Sequence, residues 1–120
     1  SIIFAGRVSD EELRNLLGAA EVLTYVPIFE GFGLPIVEAF QAEVPVICSN
    51  VTSMPEVAGD AALQVDPFNI TAIADAMELL SKNDILQKEL IAKGTEQKNK
   101  FTWKKTANLL YDCIEKTLAS

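Results

Sequence analysis

The segment EGFGLPIVEA, Glu30 to Ala39, sets two carboxylates eight residues apart around a Gly-Phe-Gly turn followed by a proline. A glycine-rich turn entering a helix directs backbone N–H groups and the positive end of the helix dipole at a ligand, which suits a phosphate. With a helix starting near Pro35, Glu38 falls in its first turn and Glu30 on the loop just before it. Both acids would repel a phosphate, so they need another target. A carboxylate can accept hydrogen bonds from two neighbouring sugar hydroxyls at once. A ligand with ribose on one side of a diphosphate and a hexose on the other satisfies the turn and both acids, and that ligand is a nucleotide sugar. A second reading stays open on spacing alone. In it, Glu38 only complements the helix dipole, worth about 0.3–1 kcal/mol, and Glu30 is a solvated loop residue.

The rest of the composition narrows the chemistry. The chain has no histidine, which excludes a Ser-His-Asp or Cys-His nucleophile and any His-ligated metal within it. No metal site and no cofactor are expected. Cys48 and Cys113 both lie in apolar runs and read as buried, reduced thiols, as in a cytosolic protein. A net charge of −7 argues against nucleic acid or an anionic membrane surface as a partner. The loose cluster Lys98, Lys100, Lys104 and Lys105 reads as a solvated helix end. No apolar run has the length of a membrane span, and no signal peptide is visible.

At 120 residues, 49% of them hydrophobic and 22% charged, the chain suits one packed domain rather than a disordered segment. Short apolar runs alternate with helical patterns. Ile2 to Ala5, Val22 to Val26, Pro45 to Ser49 and Ala62 to Val65 read as four strands. Ser9-Asp10-Glu11-Glu12 is a capping box that launches a helix through Ala19. Pro35 suits the first turn of a helix reaching Ala42, and Pro55 to Ala58 is a short helix closed by Gly59. From the N-cap Asn69 onward the pattern is purely helical. Ile73, Met77 and Leu80, then Leu86, Leu90 and Ile91, and finally Trp103, Ala107, Leu110, Ile114 and Leu118 behind the cap Thr102, form stripes expected in the core. The fold class is therefore α/β, a Rossmann-like parallel sheet of about four strands flanked by helices, with the C-terminal helices packing back on it. The loops Gly6-Arg7-Val8 and Glu30 to Gly33 should open on the same carboxyl edge, where ligands of such sheets bind.

Several ordered motifs carry a resemblance to a known family. Phe4-Ala5-Gly6-Arg7-Val8-Ser9-Asp10-Glu11-Glu12-Leu13, Glu30-Gly31-Phe32-Gly33-Leu34-Pro35 through Glu38-Ala39, Pro45-Val46-Ile47, Pro55 through Ala62, Val65-Asp66-Pro67 and Phe101-Thr102-Trp103 follow one another in that family's order. The chain resembles the donor-binding region of retaining glycosyltransferases with two Rossmann-like domains, the large family four (group 1) class. The resemblance covers nearly all 120 residues.

That resemblance implies that residues 1–120 are part of a carboxyl-terminal donor-binding domain. The parent would be a hexosyltransferase moving sugar from a UDP-, GDP- or ADP-linked donor to a saccharide or lipid-linked acceptor. Glu30 would be the catalytic contact to the transferred sugar and Glu38 the contact to ribose hydroxyls. Main-chain N–H groups of Gly31, Phe32, Gly33 and Leu34 would hold diphosphate and sugar, and the main chain at Arg7 and Val8 would face the base. Glu56 and Asp60 would be structural. The resemblance also implies a cytoplasmic enzyme for polysaccharide or glycolipid synthesis, free or at the inner face of a membrane. Its amino-terminal acceptor domain and first donor-domain strands, with their basic residue for the diphosphate, are not in this sequence.

The isolated chain is then expected to lack turnover. It is also expected to lack the helices of one sheet face. Ile2 to Ala5 would close directly beside Val22 to Val26 or pair with a second copy, giving a homo-oligomer, while the last helix covers part of the bare face. Two departures stand out: Val26-Pro27 replaces the family's Pro-Ser, removing a hydroxyl, and Glu43 replaces a glycine that would adopt positive φ. The competing reading is a non-catalytic Rossmann-like module or folding unit.

Overall fold

The computed structural model describes residues 1–120. Three strands, β1 (Leu23–Tyr25), β2 (Val46–Ser49) and β3 (Ala62–Val65), form one parallel sheet in the order β1-β2-β3. The register pairs Leu23 with Val46 and Val46 with Ala62. The chain also forms six α-helices: α1 (Asp10–Ala19), α2 (Leu34–Gln41), α3 (Met54–Ala58), α4 (Ile70–Lys82), α5 (Asp84–Gln97) and α6 (Trp103–Ala119), with a 3₁₀ turn at Lys98–Lys100.

The central strand explains the layers. All four residues of β2 are buried, and alternation along a strand sends successive side chains to opposite faces. Val46 and Cys48 join the core built with Ile36, Val37, Phe40, Met54 and Val57 of α2 and α3. Ile47 faces the other way, into a second core with Ala76, Leu80 and Leu90 of α4 and α5. Both sheet faces are therefore covered, and the expected bare face does not exist.

Local signals set most boundaries. Ser9 Oγ accepts from the Glu12 amide at 3.2 Å while the Ser9 amide donates to Glu12 Oε2 at 2.8 Å, completing the capping box. Asn69 and Thr102 cap α4 and α6 as expected. Gly59 closes α3 with φ 56°. Helix α4 buries Ala76 and Leu80, one turn apart, and leaves Met77 half exposed, so its inward stripe is rotated slightly from Ile73-Met77-Leu80.

Three expectations fail. Ile2 to Ala5 is not a strand; Ile2, Ile3 and Phe4 are 84%, 86% and 94% exposed, and no pairing forms beside β1. A lone extended run gains nothing without a neighbour for its N–H and C=O groups, so the sheet has three strands. Helix α6 does not pack back on the sheet: it buries no residue, and Trp103 is 89% and Leu110 61% exposed. With both faces of β2 already covered, no apolar surface remains there for its stripe. Cys113, on α6, is exposed rather than buried.

Cys48 does fit the expectation. It is fully buried, and burial pushes its thiol up to about 12. Since the thiolate is the nucleophile, a maleimide at neutral pH should leave Cys48 untouched until denaturant is added. Rapid native-state labelling, read by mass spectrometry, would contradict its place in the core.

Glu43 adopts φ 58°, the left-handed conformation foreseen at the position where the family has glycine. An L side chain there costs roughly 1–2 kcal/mol, against about 0.5–1 kcal/mol of extra chain entropy for glycine. Glu43→Gly should thus stabilise the fold by about 0.5–1 kcal/mol. An unchanged or lower urea midpoint would show that the turn carries no strain.

Candidate donor-binding site

The loop after β1 is built by side chains from three elements. Tyr25, the last residue of β1, packs its ring against the main core and donates its hydroxyl to Glu30 Oε2 at 2.6 Å. That distance is typical of a hydroxyl on a charged carboxylate. The Glu30 hydrogen bond, then burial, then the Glu30 charge push the Tyr25 phenol up to about 12. Ser49, fully buried at the end of β2, donates to the Pro27 carbonyl at 2.8 Å. Ser53, just before α3, lies 2.9 Å from the Glu30 carbonyl and 3.0 Å from that of Phe32. The hydroxyl missing from the loop's own sequence is thus replaced structurally by hydroxyls reaching in from the two ends of the β2–α3 connection.

Gly33 ends the loop with φ 99° as the N-cap of α2, with a proline at the helix start. A Cβ on Gly33 would overlap the methyl of Met54. The N–H groups of Gly31, Phe32 and Gly33 donate to no acceptor in the protein. They therefore stay available at the positive end of α2. Phe32 meets Phe101 edge-to-face, with ring centroids 5.5 Å apart.

Glu38 sits elsewhere than expected. Helix α2 starts at Leu34, which makes Glu38 its fifth residue, with no acid in the first turn. The dipole effect fades beyond that turn, which weakens the reading of Glu38 as a mere dipole partner. Glu38 instead lines a groove of about 530 Å³ between α1 and α2, with Asp10, Leu13, Arg14, Leu17, Gln41 and Ala42. The two glutamates thus have different surroundings, one on the Tyr25 and Ser53 side of the loop and one facing α1. Arg7 is exposed and Val8 half-buried on the segment leading into α1, after Gly6 at φ 67°. Leu34 is exposed at the start of α2. Glu56 lies in the first turn of α3, and Asp60 Oδ2 stands 3.7 Å from Lys93 Nζ on α5.

Tyr25, Ser49 and Ser53 were not singled out by the sequence reading. Tyr25 carried a usable signal: a tyrosine closing a short strand, five residues before the acid. Ser49 and Ser53 carried none, because their partners lie 22 and 21–23 residues away.

The family model described as "Glycosyl transferases group 1" matches residues 1–97. The chain belongs to that family. Among relatives of this group 1 glycosyl transferase chain, the O-antigen chain mannosyltransferase B of Escherichia coli is 44% identical over 102 residues, 85% of this chain and 27% of that protein. The phosphatidyl-myo-inositol mannosyltransferase of Mycobacterium leprae (strain TN) is 30% identical over 122 residues, 99% of this chain and 33% of that protein. Sucrose-phosphate synthase from Thermosynechococcus elongatus superposes with a TM-score of 0.81 at 26% identity, over 98% of this chain and 30% of that one. The chain thus spans about a third or less of these relatives.

Proposed function

We propose that this chain forms the nucleotide-sugar side of a retaining glycosyltransferase that moves a hexose to a saccharide or lipid-linked acceptor. The observation that carries the reading is the loop Glu30 to Gly33. Its unengaged N–H groups at the start of α2 suit a diphosphate, and an anchored carboxylate beside them suits sugar hydroxyls. Residues 1–120 act here as part of a donor-binding domain. Glu30 contacts the transferred sugar, and Gly31 to Leu34 hold diphosphate and sugar. Glu38, from the groove beside α1, takes the ribose hydroxyls, and the main chain of Arg7 and Val8 borders the base. Relatives named mannosyltransferases favour mannose as the sugar, on a UDP, GDP or ADP carrier.

A cytoplasmic site of action belongs to the same proposal, as does self-association of the isolated chain through the open edge of β1 and the exposed run Ile2 to Phe4. No helix is long and apolar enough to cross a membrane. The test is transfer of radiolabel by the full-length protein from a panel of nucleotide hexoses, with membrane extract as the source of acceptors. Label should move from one carrier in preference to the others. No binding of any nucleotide sugar by calorimetry, with no transfer, would sink the reading.

A further inference from the structure

Glu30 is a long side chain on a loop, and such a carboxylate ordinarily samples many rotamers. Here it does not stand alone. The Tyr25 ring is held by the main core, and its hydroxyl meets Glu30 Oε2 at 2.6 Å. The loop backbone on either side is held by Ser49 at Pro27 and by Ser53 at Glu30 and Phe32. Tyr25 is thus the side-chain anchor of the carboxylate, while the serines anchor its main chain.

We propose that Tyr25 is a positioning residue for the transfer reaction: by occupying Oε2 it fixes the Glu30 carboxylate so that Oε1 is presented to the donor sugar. The proposal rests on the reading of Glu30 as the sugar contact. A site works when its contact group is locked by packing and by a supporting hydrogen bond before the ligand arrives. The phenol provides both, with its ring in the core and its hydroxyl on the acid. Since the carboxylate's contact strengthens as charge develops on the reacting sugar, loss of its orientation falls on turnover more than on donor affinity.

The test is a double-mutant cycle in the full-length protein with Tyr25→Phe and Glu30→Gln. Tyr25→Phe keeps the ring in the core and removes only the hydroxyl. It should lower kcat by about 10-fold with donor KM changed less than about 3-fold. On the Glu30→Gln background its effect should be much smaller, because no charged carboxylate remains for the hydroxyl to orient. Full additivity of the two losses, or an unchanged kcat for Tyr25→Phe beside an impaired Glu30→Gln, overturns the positioning role alone. A silent Glu30→Gln overturns the assignment of Glu30 and the positioning role with it.

A second readout needs no turnover. The raised Tyr25 phenol stays protonated at about pH 11, where an ordinary tyrosine is mostly ionised. Wild type and Tyr25→Phe should then show equal phenolate absorbance near 295 nm, and Glu30→Ala, which removes both the acceptor and the charge, should gain one phenolate. If the wild type already shows that extra phenolate, the anchor is absent. The sign for stability follows: the bond's contribution is complete below about pH 10 and is lost as pH rises through about 12.

Discussion

Glu30→Gln in the full-length protein should lower turnover by on the order of 10²-fold or more, while the fold and the donor loop stay intact. Glutamine has the length of glutamate, and its carbonyl oxygen can still accept from the Tyr25 hydroxyl. What disappears is the negative charge beside the reacting sugar. A charged, pre-positioned contact that strengthens as charge develops is worth several kcal/mol, about 2.7–4 in comparable removals. Glu38→Gln should behave differently, weakening donor binding with little loss of kcat, since the groove beside α1 lies away from the Glu30 side of the loop. Steady-state kinetics with the donor varied separate the two. Unchanged turnover for Glu30→Gln would remove Glu30 from the chemistry.

Gly33→Ala should destabilise the protein by about 3 kcal/mol, from two causes acting at one atom. The residue holds φ 99°, a conformation that L residues enter at a cost of about 1–3 kcal/mol. The new methyl would also overlap the Met54 methyl, inside the main core. Displacing a fully buried side chain there adds a similar cost. Relaxation would straighten the loop and turn its N–H groups away from the start of α2, so donor affinity should fall along with stability. Gly31→Ala is the control: its Cβ position is open, and its φ is not positive. Equal urea midpoints for the two alanine variants would show that the Gly33 turn is not fixed by its conformation.

What could be read from the sequence was what short stretches determine by themselves. The caps Ser9, Asn69 and Thr102 satisfy amides three residues away, so local residue types sufficed. The run Val46 to Cys48 is apolar because both faces of the strand are covered, and it was legible for that reason. Ile2 to Ala5 shows the same apolar character, yet a strand also needs a neighbour at hydrogen-bond distance, which no local pattern specifies. The stripe on α6 has the right spacing for burial, but spacing does not say whether a surface stands opposite. Within the site, the glycines and the two acids were visible because backbone conformation and charge are properties of single residues. The Ser53 contacts were invisible because they depend on how two connections, more than twenty residues apart, come to lie side by side.

The edge-to-face pair of Phe32 and Phe101 has a mechanical consequence. Phe101 rests on the main core on one side and leads directly into α6 on the other, so it serves as a fulcrum. The arm beyond it is 17 residues long, about 25 Å at 1.5 Å per residue. A tilt of about 5° at the fulcrum would move the far end by roughly 2 Å on that rise. Conversely, a modest force on the far end acts through a long lever on the ring seated against the glycine loop. Whatever holds the end of α6 therefore has leverage on the loop proposed to receive the diphosphate, through a single aromatic contact.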